Sequence, residues 1–230
     1  PFYTGRGIGS WFSKDLKKWE AGPAVIKATP AWVAEAVPEN RNPNFWTPDI
    51  IKVGGKYLLY YSVSSFGKNT SVIALVTNTT LDPADPQYKW VDEGIVVRSV
   101  STDRYNAIDP ALFQDRDGKL WMSFGSFWSG IKLIELDSKT GKRIAPDSPL
   151  YAIAYKREIE APYIHRRGDW YYLLLNHDVC CRGLSSTYNI RVGRSKTLTG
   201  PYLDRDGKNM MEAGGSIVLA TDGPVIGPGH

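Results

Sequence analysis

Cysteine is almost missing from this chain. Among 230 residues only Cys180 and Cys181 occur, and they are adjacent. Neighbouring residues cannot staple distant parts of a fold, and two of them do not make a zinc site. A bond between the pair would be strained and easily reduced, which leaves a structural or site-wall role rather than redox chemistry. Blocks of one charge are missing too: the formal net charge is +4, and Lys and Arg are scattered. The electrostatic footprint of a nucleic-acid partner is therefore absent. No apolar run approaches membrane-spanning length, which argues against a membrane partner. No signal-peptide pattern opens the chain, and its abrupt start at Pro1-Phe2-Tyr3 reads as that of a chain whose true beginning lies upstream. Helical periodicity is lacking beyond a possible turn at residues 30–37.

What is present is a repeat. With 42% hydrophobic and 23% charged residues, the chain reads as a single globular domain over 1–230 with a real core. Eight Trp and thirteen Tyr stand out; aromatic faces pack on sugar C–H faces, but most are expected in the core. Three segments place a proline at the head of an apolar strand: Phe45-Trp46-Thr47-Pro48-Asp49, Asn106-Ala107-Ile108-Asp109-Pro110 and Glu160-Ala161-Pro162-Tyr163. The prolines are spaced by 62 and 52 residues. Each segment runs through a glycine-bearing turn (Gly54-Gly55-Lys56, Asp117-Gly118-Lys119, Gly168-Asp169-Trp170) into an aromatic strand. Four short antiparallel strands per repeat is the blade pattern of a β-propeller. Three blades read as complete, with the tail of one at residues 1–27 and the threshold of another at the end. Residues 40–44 read as a polar connection. Gly5, Gly7 and Gly9 have the wrong spacing for a nucleotide loop, and a strand follows where a helix should open. Asn69-Thr70-Ser71 and Asn78-Thr79-Thr80 match glycosylation acceptors.

The first strand of each propeller blade lines the central channel, so equivalent strand starts converge at one mouth. Asp109 and Glu160 hold nearly equivalent places on successive repeats, with Trp46 at the matching place before them. Taken singly, an Asp-Pro is a turn former and a lone Glu is a surface acid. Their coincidence in register favours function. Two carboxylates on an aromatic-walled funnel suit glycoside hydrolysis, in which one acid donates a proton and another, ionised, activates water. The neighbour of an ionised carboxylate has its own pKa raised, which keeps a donor protonated. Asp49 lies past its proline and reads as structural, and Glu158 is a weaker rival for the acid.

These segments, together with Ser64-Ser65-Phe66-Gly67-Lys68-Asn69, Ser123-Phe124-Gly125-Ser126-Phe127-Trp128-Ser129-Gly130 and Cys180-Cys181-Arg182-Gly183, closely resemble the arabinanases of glycoside hydrolase family 43. The resemblance spans essentially the whole chain. It implies an all-β, five-bladed β-propeller whose first and last blades are incomplete here, acting by an inverting mechanism with three acids. Glu160 matches the general acid, and Asp109 the acid that raises the donor's pKa and orients it. The general base, an Asp, has no counterpart here and is expected upstream of Pro1, so this segment alone is expected to be inactive. Sugar contacts are implied at Trp46, Phe66, Gly67, Asn106, Ala107, Ile108, Ser126, Phe127 and Trp128. His230 is implied as ligand of a metal, often calcium, held largely through water; unaided, one terminal His would read as an ordinary surface residue. The implied substrate is α-1,5-linked arabinan of plant cell walls, and the implied location is extracellular. Exo-acting arabinofuranosidase or β-xylosidase activity stays open, as does a non-catalytic carbohydrate-binding propeller.

Overall fold

The computed structural model describes residues 1–40 and 44–230, so part of the expected connection at 40–44 lies outside the described residues. The fold is all-β and of propeller type, built from antiparallel blades. Two compact units are distinguished by their contacts, and they interleave along the chain.

The first unit holds residues 1–103, 107–110 and 136–144. Strands β1 (Phe2–Tyr3), β2 (Gly9–Phe12) and β3 (Glu20–Ala21) form a three-stranded sheet. A single-turn helix α1 (Trp32–Ala36) follows, inside the stretch expected to turn. Strands β4 (Phe45–Val53), β5 (Lys56–Val63), β6 (Ser71–Asn78) and β7 (Val91–Ser99) form a four-stranded meander. Their β-branched and aromatic residues suit a pleated, half-buried surface. Every residue of β6 is buried, as befits a central strand covered on both faces. Ile8, Val33, Phe45, Leu59, Tyr61 and Val72 belong to one core cluster that joins both sheets and the helix. Residues 136–144 pack on this sheet, where the Tyr60 hydroxyl donates to the Gly141 carbonyl at 2.7 Å.

The second unit holds residues 104–106, 111–135 and 145–230. Its sheets are β8 (Ala111–Gln114), β9 (Leu120–Phe124), β10 (Ile131–Leu136) and β11 (Tyr151–Ala154), then β12 (Ile159–Arg167), β13 (Trp170–His177), β14 (Asn189–Ser195) and β15 (Ser216–Leu219). Trp121, Ile131, Leu133, Ile159, Leu173 and Tyr202 belong to a core shared by the two sheets. Among the described residues there are thus three four-stranded blades and one three-stranded sheet.

Trp170, expected with Trp121 to be buried between blades, is half-exposed instead, with the Arg194 guanidinium 4.3 Å and the Lys196 ammonium 4.1 Å from its ring centre. Cations on a ring face are stabilised by its quadrupole, so the strand keeps an aromatic residue without burying it fully. The two glycosylation triplets are not presented to solvent, since Asn69 and Asn78 are 5% and 3% exposed. Asn69 donates to the carbonyls of Val100 (3.2 Å) and Asp103 (2.9 Å), and the Asn78 side chain accepts from the Thr79 N–H. Both are turn-binding residues, which explains their place beside Thr and Ser without invoking a sugar.

Candidate active site

The residue before each repeat proline adopts a left-handed backbone: Thr47 at φ 49°, Asp109 at 60° and Ala161 at 53°. A residue before proline is pushed away from the α region, and a non-glycine residue held at positive φ stores about 1–3 kcal/mol. The same strained residue thus recurs at three strand starts. At Trp46/Asp49 and at Glu160/Tyr163 the strand register breaks around it. Such bulges re-aim the adjoining side chains. They also resolve the two acids into different slots. Glu160 precedes the left-handed residue, in the slot of Trp46 and Ile108, whereas Asp109 is itself the left-handed residue.

In the second unit, Glu160 pairs with Asn176 of β13 and forms an isolated bridge with Ser126. Each of its oxygens accepts a hydrogen bond. The Ser126 hydroxyl donates to Oε2 at 2.8 Å, and the Tyr188 hydroxyl donates to Oε1 at 2.7 Å. The ion pairs among the described residues do not include Glu160. Glu158 behaves differently: it lies outside β12 and pairs with Lys156 (3.6 Å) and Arg157 (3.4 Å). Its surroundings are thus cationic, where those of Glu160 are hydroxyls.

Ser126 is buried and turned to Glu160 rather than lining an open wall. The Phe127 N–H donates to the Ile159 carbonyl at 2.7 Å, tying this loop to β12. Phe127 and Trp128 are both left-handed, at φ 55° and 38°. Trp128 keeps 38% of its surface exposed, as a sugar-stacking residue must. Asn106 is buried in this unit. His230 lies near Glu160, after Gly229, where a Cβ would meet Asn176 Nδ2 at 2.1 Å and the Tyr188 ring at 2.5 Å. Only glycine lets the tail settle there. Desolvation lowers the His230 pKa, and the charge of Glu160 opposes it.

In the first unit, Asp109 is 5% exposed, and its N–H donates to the Ser62 hydroxyl at 3.0 Å. Ser62 also shares a 2.9 Å hydrogen bond with Thr47. Upstream, the Ala107 N–H donates to Ser99 Oγ, which donates to the Asn69 carbonyl. Ala107 and Ile108 are buried. Trp46 and Phe66 line one hollow of about 290 Å³ together with Glu39, Asn40 and Ser65. Phe66 is 86% exposed, and Gly67 follows at φ 75°.

A larger hollow, about 330 Å³, lies at the other end of β12 among Gln114, Asp115, Tyr163 and His165. Its acid, Asp115, is half-buried and already engaged: it is bonded to Arg166 and accepts from the Tyr171 hydroxyl at 2.6 Å. Size therefore does not identify the reactive site. Among the described residues no group of three or more His, Cys, Asp or Glu is placed to hold a metal ion. His230 offers a single neutral imidazole. That donor fits an ion held mainly through water and does not fit the oxygen cage a calcium ion takes from protein alone.

The model of glycosyl hydrolases family 43 matches residues 1–230. The chain belongs to that family. Within family 43 it is similar to the extracellular endo-α-(1→5)-L-arabinanase 1 of Bacillus subtilis, at 46% identity over 97% of this chain and 68% of the relative. It is also similar to the extracellular exo-α-(1→5)-L-arabinofuranosidase ArbA of Cellvibrio japonicus, at 43% identity over 100% of this chain and 70% of that protein. Among solved structures, the Cellvibrio cellulosa α-L-arabinanase complexed with arabinohexaose superposes with a TM-score of 0.92. The identity is 42%, over 98% of this chain and 76% of that one. No helix is long and apolar enough to cross a membrane among the described residues.

The sequence alone did not point to Tyr188. It lies 28 residues from Glu160, and its only signal is its place immediately before Asn189. That residue pairs with His177, next to the Asn176 that pairs with Glu160.

Proposed function

We propose that this chain is the catalytic propeller of an extracellular enzyme that cleaves α-1,5-linked L-arabinan with inversion at the anomeric carbon. The single observation that carries the reading is Glu160 held by two neutral hydroxyls and no cation at a bulged strand start. A donor needs such a setting, because a Lys or Arg partner would keep it ionised. Glu160 protonates the leaving oxygen. Asp109 is the second acid of the proposed mechanism, by the motif it shares with the family. An inverting site leaves roughly 6.5–9.5 Å between acid and base for the attacking water. Trp46, Phe66 and Trp128 supply sugar-stacking surfaces, and the backbone at 106–108 supplies polar contacts. His230 would hold a water-coordinated cation, calcium by this reading, whose positive charge would steady a nearby anionic centre.

Both endo- and exo-acting relatives are more than 40% identical to this chain. Endo action is favoured because the stretch contains no long insertion that would block one end of a cleft. The deciding experiment follows linear arabinan digestion in the complete protein by chromatography and by NMR of the anomeric proton. A ladder of oligomers with inverted configuration is expected, lost in Glu160→Gln while arabinan binding persists. Arabinose as sole initial product would establish the exo reading. Retained configuration would refute the inverting one. Hydrolysis by residues 1–230 alone would place the base within this chain.

A further inference from the structure

Tyr188 is the one group touching Glu160 that neither the motifs nor the proposed mechanism uses. A buried tyrosine needs a hydrogen-bond partner in any case, so the contact could simply satisfy a core hydroxyl. Three observations argue for more. First, the contact is directional: Tyr188 serves Oε1 and Ser126 serves Oε2, one donor to each oxygen. Second, the two donors differ in freedom. A serine hydroxyl swings about a single bond and can donate or accept at will. The Tyr188 ring is 3% exposed, with Asn176 and Gly229 close to it, so its oxygen is fixed in place. Third, the loop that delivers Tyr188 is built with strain. Asp178 and Cys181 are left-handed at φ 69° and 65°, with Gly183 at 54°. The Cys180–Cys181 disulfide lies within it. Two hydrogen bonds close it, from the Thr187 N–H to the Val179 carbonyl (2.9 Å) and from the Val179 N–H to Thr187 Oγ1 (3.2 Å). Strained backbone persists only where its surroundings enforce it.

We propose that Tyr188 is a positioning residue for the proton of Glu160: by donating to Oε1 it keeps that oxygen the acceptor and leaves the acidic hydrogen on Oε2. Ser126, able to rotate, then accepts or releases that hydrogen as substrate arrives. On transfer the Oε2–H bond breaks and its electron pair stays on the carboxylate. The hydrogen goes to the glycosidic oxygen, which keeps the pair from its broken bond to the anomeric carbon, while water bonds to that carbon from the opposite face and gives up a proton to the carboxylate of the general base. Tyr188 remains a donor throughout and stabilises the carboxylate that results.

The inference rests on Glu160 being the acid, and the test separates the two. Tyr188→Phe and Glu160→Gln are compared in the complete protein on linear arabinan and on an aryl arabinoside with a strongly acidic leaving group. Tyr188→Phe is expected to lower kcat on arabinan roughly tenfold, the scale of one hydrogen bond to a charged group, with KM changed by less than about twofold. On the aryl arabinoside, which needs little protonation, the loss should nearly vanish. An unchanged kcat on arabinan, an equal loss on both substrates, or a loss confined to KM would each overturn it. Full arabinan cleavage by Glu160→Gln would remove the acid assignment and this inference together, whereas a dead Glu160→Gln beside an unaffected Tyr188→Phe would sink this inference alone. Should Tyr188→Phe fail to fold, Thr187→Val loosens the same loop with Tyr188 intact. It must then show the same substrate-dependent loss, at smaller size, for the proposal to stand.

Discussion

Glu160 and Asp109 open two strands through the same proline-linked bulge, yet the molecule treats them oppositely. Glu160 stands one residue before the left-handed position, half-exposed, with both oxygens met by hydroxyl donors. Asp109 occupies the left-handed position itself, is 5% exposed, and is tethered through its N–H to Ser62. A group that hands a proton to substrate must reach it. One that acts by its field needs no access, and burial strengthens that field because the surroundings screen it less. One residue of offset along a repeated motif therefore places the two carboxylates in different surroundings, as the proposed donor and modulator roles require.

The largest effect that can break this comparison is on chemistry. Glu160→Gln keeps the shape and loses the proton, so arabinan turnover should fall by about 10²–10⁴-fold. Asp109→Asn should come next, with kcat down on the order of 10²-fold. Binding of arabino-oligomers, measured by calorimetry, should survive in both. If Asp109→Asn instead abolished binding or lowered the melting temperature as its main effect, Asp109 would be a structural acid and the contrast would dissolve.

A smaller effect tests the walls rather than the acids. Trp128 is 38% exposed and Trp121 only 9%. Trp128→Ala should raise KM several-fold with an unchanged melting temperature. Trp121→Ala should do the reverse, destabilising by about 3–5 kcal/mol as a large-to-small core change. A large drop in melting temperature for Trp128→Ala would return that ring to the core.

The smallest effect is a pH dependence that should touch the surroundings of Glu160 and not those of Asp109. His177 lies beside Asn176 on β13 and pairs with Ile159. Desolvation by burial, then the charges of Lys156 and Arg191, lower its pKa to about 4, against the pull of Asp178. The fold thus favours the neutral ring. Above the ordinary value of 6.5 both folded and unfolded forms are neutral, and the full stability is present. As pH falls below that value the unfolded chain takes up a proton the fold refuses, so stability declines until about pH 4, where the folded ring protonates as well. Hydrogen exchange across β12 and β13 should accelerate in that window, and His177→Gln should flatten the dependence. Equal acceleration across β4 and β5 would show that the effect is not local.

Much of the fold was legible in the chain because it is local physics repeated. Proline at a strand start, a glycine-bearing turn and an aromatic strand each act within a few residues, and their recurrence gave the blades and both acids. The different surroundings of Glu158 and Glu160 were not legible, since alternation along a strand makes them look alike; Lys156 and Arg157 pair with Glu158 and not with Glu160 among the described residues. Nor could glycosylation triplets be told from turn formers without knowing where Asn69 points.

By itself, then, the sequence determined the repeat and the strand starts at which the two candidate carboxylates stand, because those depend on backbone sterics and side-chain alternation over short spans. Only the tertiary structure decided which oxygen of Glu160 meets which hydroxyl, that of Ser126 or that of Tyr188. Those facts depend on sheet register across β12, β13 and β14 and on a loop closed by its own hydrogen bonds. Register couples residues 28 positions apart, and no local pattern records such a coupling.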